Sequence, residues 1–194
     1  MPVAGFVLVG GRSSRMGRDK ARLPLERHLL VEEVAAKVSC IAENVALVGN
    51  ARLYSDLKIQ CLDDLRSGCG PLAGIETALK SGRGDLSLIV ACDMPGLQLE
   101  WLAQLVATAS QQESGCIVCR DKAGIVHPLC SVWKPSCLPQ VERALDAGRW
   151  RLMELIGALE AVYVSIAETI PNVNTPEEWK AWQAREFREA ASFS

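Results

Sequence analysis

Val3-Ala4-Gly5-Phe6-Val7-Leu8-Val9-Gly10-Gly11-Arg12-Ser13-Ser14-Arg15-Met16-Gly17-Arg18-Asp19-Lys20 is the stretch on which the fold turns. Residues 3–9 form a continuous apolar run of the length of a strand, as a parallel strand covered on both faces requires. The run opens into a loop with three glycines, which free the backbone to turn and admit a ligand close to it. Ser13 and Ser14 can satisfy local amides or touch phosphate oxygens. Arg12, Arg15, Arg18 and Lys20 set four cations against one acid, Asp19. A strand that opens into such a loop suits a polyphosphate, because backbone amides and cations act on it together. A basic surface turn is the plainer alternative. Six special residues directly after a clean first strand weigh against it.

Two familiar phosphate loops do not fit. The Walker pattern needs Gly-Lys-Ser/Thr at its end, whereas Gly17 is followed by Arg18-Asp19-Lys20-Ala21. Gly10, Gly11 and Gly17 also miss the spacing of the dinucleotide fingerprint.

Outward from the loop, the chain alternates strands and helices. Leu29, Leu30, Val34, Ala35 and Val38 recur at helical spacing, which predicts a helix over 28–40. Residues 45–49, 59–62 and 86–91 read as strands, ending in Gly49-Asn50, Asp63-Asp64 and Cys92-Asp93. Alternation of this kind favours a doubly wound, mostly parallel sheet, whose ligands gather beyond the carboxyl ends of its strands. Gly10, Asn50 and Asp64 all fall there. Asp93 ends a buried central strand, where an acid needs a compensating partner. A magnesium ion with phosphate oxygens would compensate it, and so would capping of the turn before Pro95. Gly70-Pro71-Leu72-Ala73-Gly74 enters a helix that ends near Gly82.

The second half continues with a helix from Leu99 and a strand at residues 116–119. Residues 125–133 read as an antiparallel strand, placed at an edge by Pro128. A further helix spans 135–148, a strand spans 161–165, and the last helix begins at Thr175-Pro176-Glu177-Glu178, a capping box. Cys116 and Cys119 lie three apart on a strand and so face opposite ways, which disfavours a zinc site with Cys130 and Cys137. The whole, residues 1–194, reads as a single α/β domain of three-layer Rossmann-like type with one antiparallel strand.

Composition narrows the function classes. A net charge of −2 argues against a general nucleic-acid binder, so any basic function is local to the loop. No stretch approaches the roughly 20 apolar residues of a membrane span. Gly10-Gly11-Arg12 ends the first apolar run too early for a secretory leader. The eight cysteines sit mostly in apolar stretches and read as reduced thiols of a cytoplasmic protein.

Residues 8–20 resemble the signature of the molybdenum cofactor guanylyltransferases: Leu-Ala-Gly-Gly, a Ser/Arg segment, Arg-Met-Gly and Asp-Lys. Val9 stands for the usual Ala, and Glu26-Arg27-His28 lacks a glycine common there. The likeness runs on through Gly70-Pro71-Leu72-Ala73-Gly74, Cys92-Asp93-Met94-Pro95, His127-Pro128-Leu129 and Asn172-Val173-Asn174-Thr175-Pro176. It implies a nucleotidyltransferase that joins GTP to molybdopterin and releases pyrophosphate. It implies Mg2+ as cofactor, held by Asp93. Arg15, Lys20 and Asp93 become the catalytic residues, Arg15 and Lys20 neutralising the charge that grows on the α-phosphate and leaving pyrophosphate. Leu8, Val9, Gly10, Gly11, Lys20, Asn50, Asp64, Gly70, Pro71 and Asp93 surround the nucleotide. His127, Arg151, Asn172 and Asn174 face the pterin. Trp150 stands where another Arg is common, and an indole between Arg149 and Arg151 is suited to a flat anionic ring. Transient contacts with cofactor-insertion proteins are implied. A cytidylyl- or sugar-nucleotidyltransferase of the same fold, or a non-catalytic nucleotide-binding module, remain the alternatives.

Overall fold

Val3–Leu8, β1, is buried along its whole length and runs between two parallel neighbours. These are β2 (Asn44–Gly49) and β4 (Leu86–Ala91). With β3 (Cys61–Asp63), β5 (Cys116–Arg120), β6 (Val126–Trp133) and β7 (Val162–Ser165) they form one seven-stranded sheet in the order β3-β2-β1-β4-β6-β5-β7. Only β6 runs against the rest. The computed structural model describes residues 1–10, 19–25, 28–171, 173 and 175–192, with 185–192 by backbone alone.

Alternation along the central strands divides the core in two. Val3 and Val7 of β1, with Leu86, Leu88 and Val90 of β4, face one side. There they meet α1 (Leu30–Ser39) and α3 (Leu99–Gln111) through Val34, Val38, Leu102 and Leu105. Ala4, Phe6 and Leu8, with Ile89, face the other side. They meet α2 (Pro71–Lys80), α4 (Leu138–Asp146) and α5 (Leu152–Ala158) through Leu72, Ile75, Val141, Leu145 and Leu152. Every central strand therefore has two dry faces, which is why these strands read as unbroken apolar runs rather than alternating ones. The last helix, α6 (Pro176–Ser192), begins as the capping box requires. Thr175 Oγ1 accepts from the Glu178 amide at 3.2 Å, and the Glu178 carboxylate accepts from the Thr175 amide at 3.0 Å.

Several expectations are corrected. β6 is not an edge strand: it pairs with β4 on one side and β5 on the other. Pro128 is tolerated there because the β5–β6 register shifts at Val118/Cys119, so that Cys119 faces His127 while Val118 faces Ser131. Pro128 falls in the slack of that bulge, where no ladder donor is needed. The third strand starts later than expected, at Cys61. Cys116 and Cys119 do face opposite sides of the sheet. No three His, Cys, Asp or Glu side chains converge as a metal cage among the described residues. No helix among them is long and apolar enough to cross a membrane.

The end of β2 sits tightly against the chain leaving β1. A Cβ added to Gly49 would lie 2.5 Å from the Val9 carbonyl oxygen, a backbone atom that cannot step aside. Gly49→Ala is therefore expected to cost about 1–3 kcal/mol of stability, as overpacking does. Urea denaturation would register it as a lower midpoint at unchanged slope.

Candidate active site

Parallel pairing places the carboxyl ends of β1, β2, β3 and β4 at one edge of the sheet, and one cavity of about 870 Å³ opens there. That volume matches a drug- or cofactor-sized ligand. Leu8, Val9 and Gly10 reach it from β1, Asp64 from beyond β3, and Cys92 and Asp93 from beyond β4. Gly68, Gly70 and Pro71 bring the entry of α2, while Leu129 and Trp150 close the opposite flank. Gly10 has φ +87°, a conformation that side chains resist, so the chain turns out of β1 at a residue able to do so.

Among the described residues Asp19, Lys20, Asp64 and Asp93 bring charge to this wall, and two of them pair. Asp19 caps a single 3-10 turn, Lys20–Arg22, by accepting from the Ala21 amide at 3.0 Å. The turn carries Lys20 to Asp93, where Nζ donates to Oδ2 at 2.9 Å. Their side chains are 16% and 24% exposed, partly dry yet open to the cavity. A cation and a carboxylate in that setting hold each other at a fixed point on the cavity wall. The main chain of Asp93 is also engaged, since its carbonyl accepts from the Val173 amide at 3.1 Å. The late segment expected to return to the site thus touches it through its middle residue.

On the other flank the loop after β3 is fastened to α2. The Asp64 amide donates to the Gly49 carbonyl, and the Leu65 amide to Thr77 Oγ1. Arg66 donates to the fully buried Glu76 carboxylate at 2.9 Å and also pairs with Asp146 of α4. Lys80 bridges Glu76 and Glu142. Two cations on one buried carboxylate are what such a charge needs in order to remain in the interior. The Asp64 carboxyl is raised above the usual range, chiefly by burial and then by the neighbouring Asp63 charge. No side chain caps α2 at Gly70; Pro71 carries no N–H and the Ala73 amide donates to the Gly70 carbonyl at 3.2 Å, so this helix N-terminus brings its dipole more than free amides to the cavity.

Of the residues singled out from sequence, Leu8, Val9, Gly10, Lys20, Asp64, Gly70, Pro71 and Asp93 line this one cavity. Asn50 stands apart from its wall: its side chain accepts from the Arg52 amide and caps the 3-10 turn Ala51–Tyr54. His127 is 5% exposed and bound to Asp121 at 3.2 Å, while Asp121 also accepts from the Ala123 and Ile125 amides. Burial alone would raise the Asp121 carboxyl; His127 and those amides hold it below the ordinary carboxylate range. His127 therefore fixes the turn before β6, and Leu129, two residues on, is the one that reaches the cavity. Arg151 points to solvent and pairs with Glu154, whereas Trp150 lines the cavity and is 47% exposed. Gly11, Arg15, Asn172 and Asn174 lie outside the described residues.

Asp19 and Val173 were not singled out. An acid amid four cations reads as their counter-charge, and a valine between two asparagines carries no chemical signal. Only the fold shows that one caps the turn bearing Lys20 and the other offers its amide to Asp93.

The sequence and the fold have relatives among known proteins. The model of the MobA-like NTP transferase domain matches residues 5–162. A protein of Carboxydothermus hydrogenoformans named probable molybdenum cofactor guanylyltransferase is 30% identical over 183 residues, covering 90% of this chain and 91% of its own. A protein of Chloroflexus aggregans with the same name is 30% identical over 197 residues, covering 95% of each. The crystal structure of molybdopterin-guanine dinucleotide biosynthesis protein A from Archaeoglobus fulgidus has the same fold, with a TM-score of 0.79 at 24% identity over 96% of this chain and 99% of that one. With its signature loop, its parallel sheet and its cavity at the carboxyl edge, the chain belongs to the MobA-like NTP transferase domain family and is a nucleotidyltransferase.

Proposed function

We propose that this chain transfers GMP from GTP to molybdopterin, releasing pyrophosphate and forming the guanine dinucleotide form of the cofactor. The observation that carries the reading is the Lys20–Asp93 pair, set between the ends of β1 and β4 on the wall of the cavity. The likeness to relatives named for guanylyl transfer supports the choice of substrates.

In-line attack by the terminal phosphate of molybdopterin forms a new P–O bond at the α-phosphorus of GTP. The bond between that phosphorus and the bridging oxygen breaks, and the electron pair leaves with pyrophosphate. A phosphate monoester is already anionic at neutral pH, so no general base is needed. Lys20 meets the negative charge that develops on the leaving group, with Arg15 of the same loop as its expected partner. The turn at Gly10 lets the backbone approach phosphate oxygens closely, and the N-terminus of α2 favours their charge through the helix dipole. Asp64 takes the guanine edge: N1–H and the exocyclic amine form a donor pair that a carboxylate accepts in bidentate fashion, and cytosine lacks that pair. The acceptor lies toward Leu129 and Trp150, where the exposed indole offers a face for the pterin ring.

Asp93 also fits magnesium. Its carboxylate is a hard oxygen donor at the cavity, and the described residues form no all-protein cage. That donor set suits an ion that takes one or two carboxylates and completes its shell with phosphate oxygens and water. Bound there with the triphosphate, magnesium would offset charge on the phosphate oxygens. We place the reaction in the cytoplasm, with transient contacts to the proteins that insert the finished cofactor.

Calorimetry with GTP, CTP, ATP and UTP in magnesium tests the base. GTP is expected to bind at least tenfold more tightly than the others, and Asp64→Ala to level the difference. Tighter CTP binding would replace the guanylyl product by a cytidylyl one, and no binding by any of them would refute the nucleotide reading. In the transfer assay Asp93→Asn is expected to lower kcat by a factor on the order of 100 or more; turnover that survives would exclude the role given to Asp93. Trp150→Ala is expected to raise KM for molybdopterin roughly three- to tenfold, with GTP affinity unchanged.

A further inference from the structure

The turn that carries Lys20 is gripped from behind by residues 51–56, which line no part of the cavity. Tyr54, 1% exposed, donates its hydroxyl to Asp19 Oδ2 at 2.7 Å. Burial, with the Asp19 charge, pushes this phenol far above its ordinary range, so it remains a proton donor at any working pH. The other Asp19 oxygen accepts from the Ala21 amide, the cap of the Lys20–Arg22 turn. Arg22, at the end of the same turn, donates to both Asp56 oxygens at 2.6 and 3.0 Å and lies 5.7 Å over the Tyr54 ring. The gripping segment is tied down in turn: the Ala51 amide donates to Asp63 Oδ1 at 2.8 Å, next to Asp64.

Asp19 is an acid on the wall of a cavity suited to polyphosphate, and such an acid repels phosphate if it is free to turn inward. Both of its oxygens have protein partners, one from Tyr54 and one from Ala21. The residue that follows is the one that meets Asp93. We infer that Tyr54 is a positioning residue for nucleotide transfer: its hydroxyl, backed by the Arg22–Asp56 pair, holds Asp19 so that Lys20 meets Asp93 at the phosphate site. The inference rests on the nucleotide reading of the cavity. It adds a link between that phosphate site and the Asp63-Asp64 corner, because one short segment holds both.

Tyr54→Phe keeps the ring in the core and removes only the hydroxyl. Amide exchange at Ala21, magnesium-GTP affinity, and affinity for inorganic tripolyphosphate would be measured in the full chain. Exchange is expected to quicken, and both affinities to fall roughly three- to tenfold, the scale of one hydrogen bond. KM for GTP should rise more than kcat falls. A role confined to stability would lower Tm and leave tripolyphosphate binding as it was, which would overturn the inference. Asp56→Asn provides a second arm of opposite electrostatic sign. Removing a negative charge would by itself strengthen anion binding, so a fall in tripolyphosphate affinity supports the grip and a rise refutes it. Wild-type protein that binds no triphosphate overturns the nucleotide reading together with this inference; wild-type binding that Tyr54→Phe leaves unchanged overturns this inference alone.

Discussion

Parallel pairing of β1 with β4, Leu8 opposite Ala91, is the constraint on which the rest of the molecule depends. Two strands leave the sheet side by side in the same direction, so whatever follows each must share one small region. Gly10 and Lys20 follow the first, and Cys92 and Asp93 follow the second. β2 and β3 extend the same edge and add Asp64. The site is thus a product of strand direction: residues distant in sequence meet because right-handed parallel crossovers permit few other arrangements.

The carboxylates of Glu76, Asp121 and Asp19 all have partners, and these partners fasten turns and loops of the chain, whereas Asn44 Oδ1 and Gln140 Oε1 are buried without one. Glu76 is fully buried and draws Arg66 and Lys80 to it, which ties the loop after β3 to α2 and α4. Asp121 and His127 fix the turn before β6. Asp19 and Tyr54 fix the turn that bears Lys20. Glu76 sits two residues from Gly74 on the cavity and Asp19 next to Lys20, while Asp121 acts at one remove, holding His127 two residues before Leu129. Such supports need no contact with ligand to matter, since a site is only as well defined as the shell that holds it.

Much of the fold was legible because its central strands have two dry faces. Residues 3–9 and 86–91 stand out as apolar runs, and Gly49, Asp64 and Asp93 mark where such runs end. Helix starts were legible where side chains write them, as at Thr175 and Glu178. The place of β6 was not, because Pro128 signals an edge by itself and the bulge that accommodates it is a property of the pairing, not of the strand. In the site, glycines, Lys20 and Asp93 carried a chemical signal. Tyr54, Asp19 and Val173 act through one hydroxyl, one cap and one amide, and these become visible only when distant segments are brought together. His127 shows the converse: a titratable side chain beside a site attracts a ligand reading, yet its partner is Asp121.

The hydrogen bond from the Val173 amide to the Asp93 carbonyl fastens the site from beyond the last strand. All seven strands of the sheet lie within the chain up to Ser165, where β7 ends. The backbone of Asp93 is held by a segment that follows that last strand. A chain cut after β7 would therefore keep every strand of the sheet and lose the amide that holds the Asp93 carbonyl: the scaffold and its carboxylate corner are made by different parts of the chain.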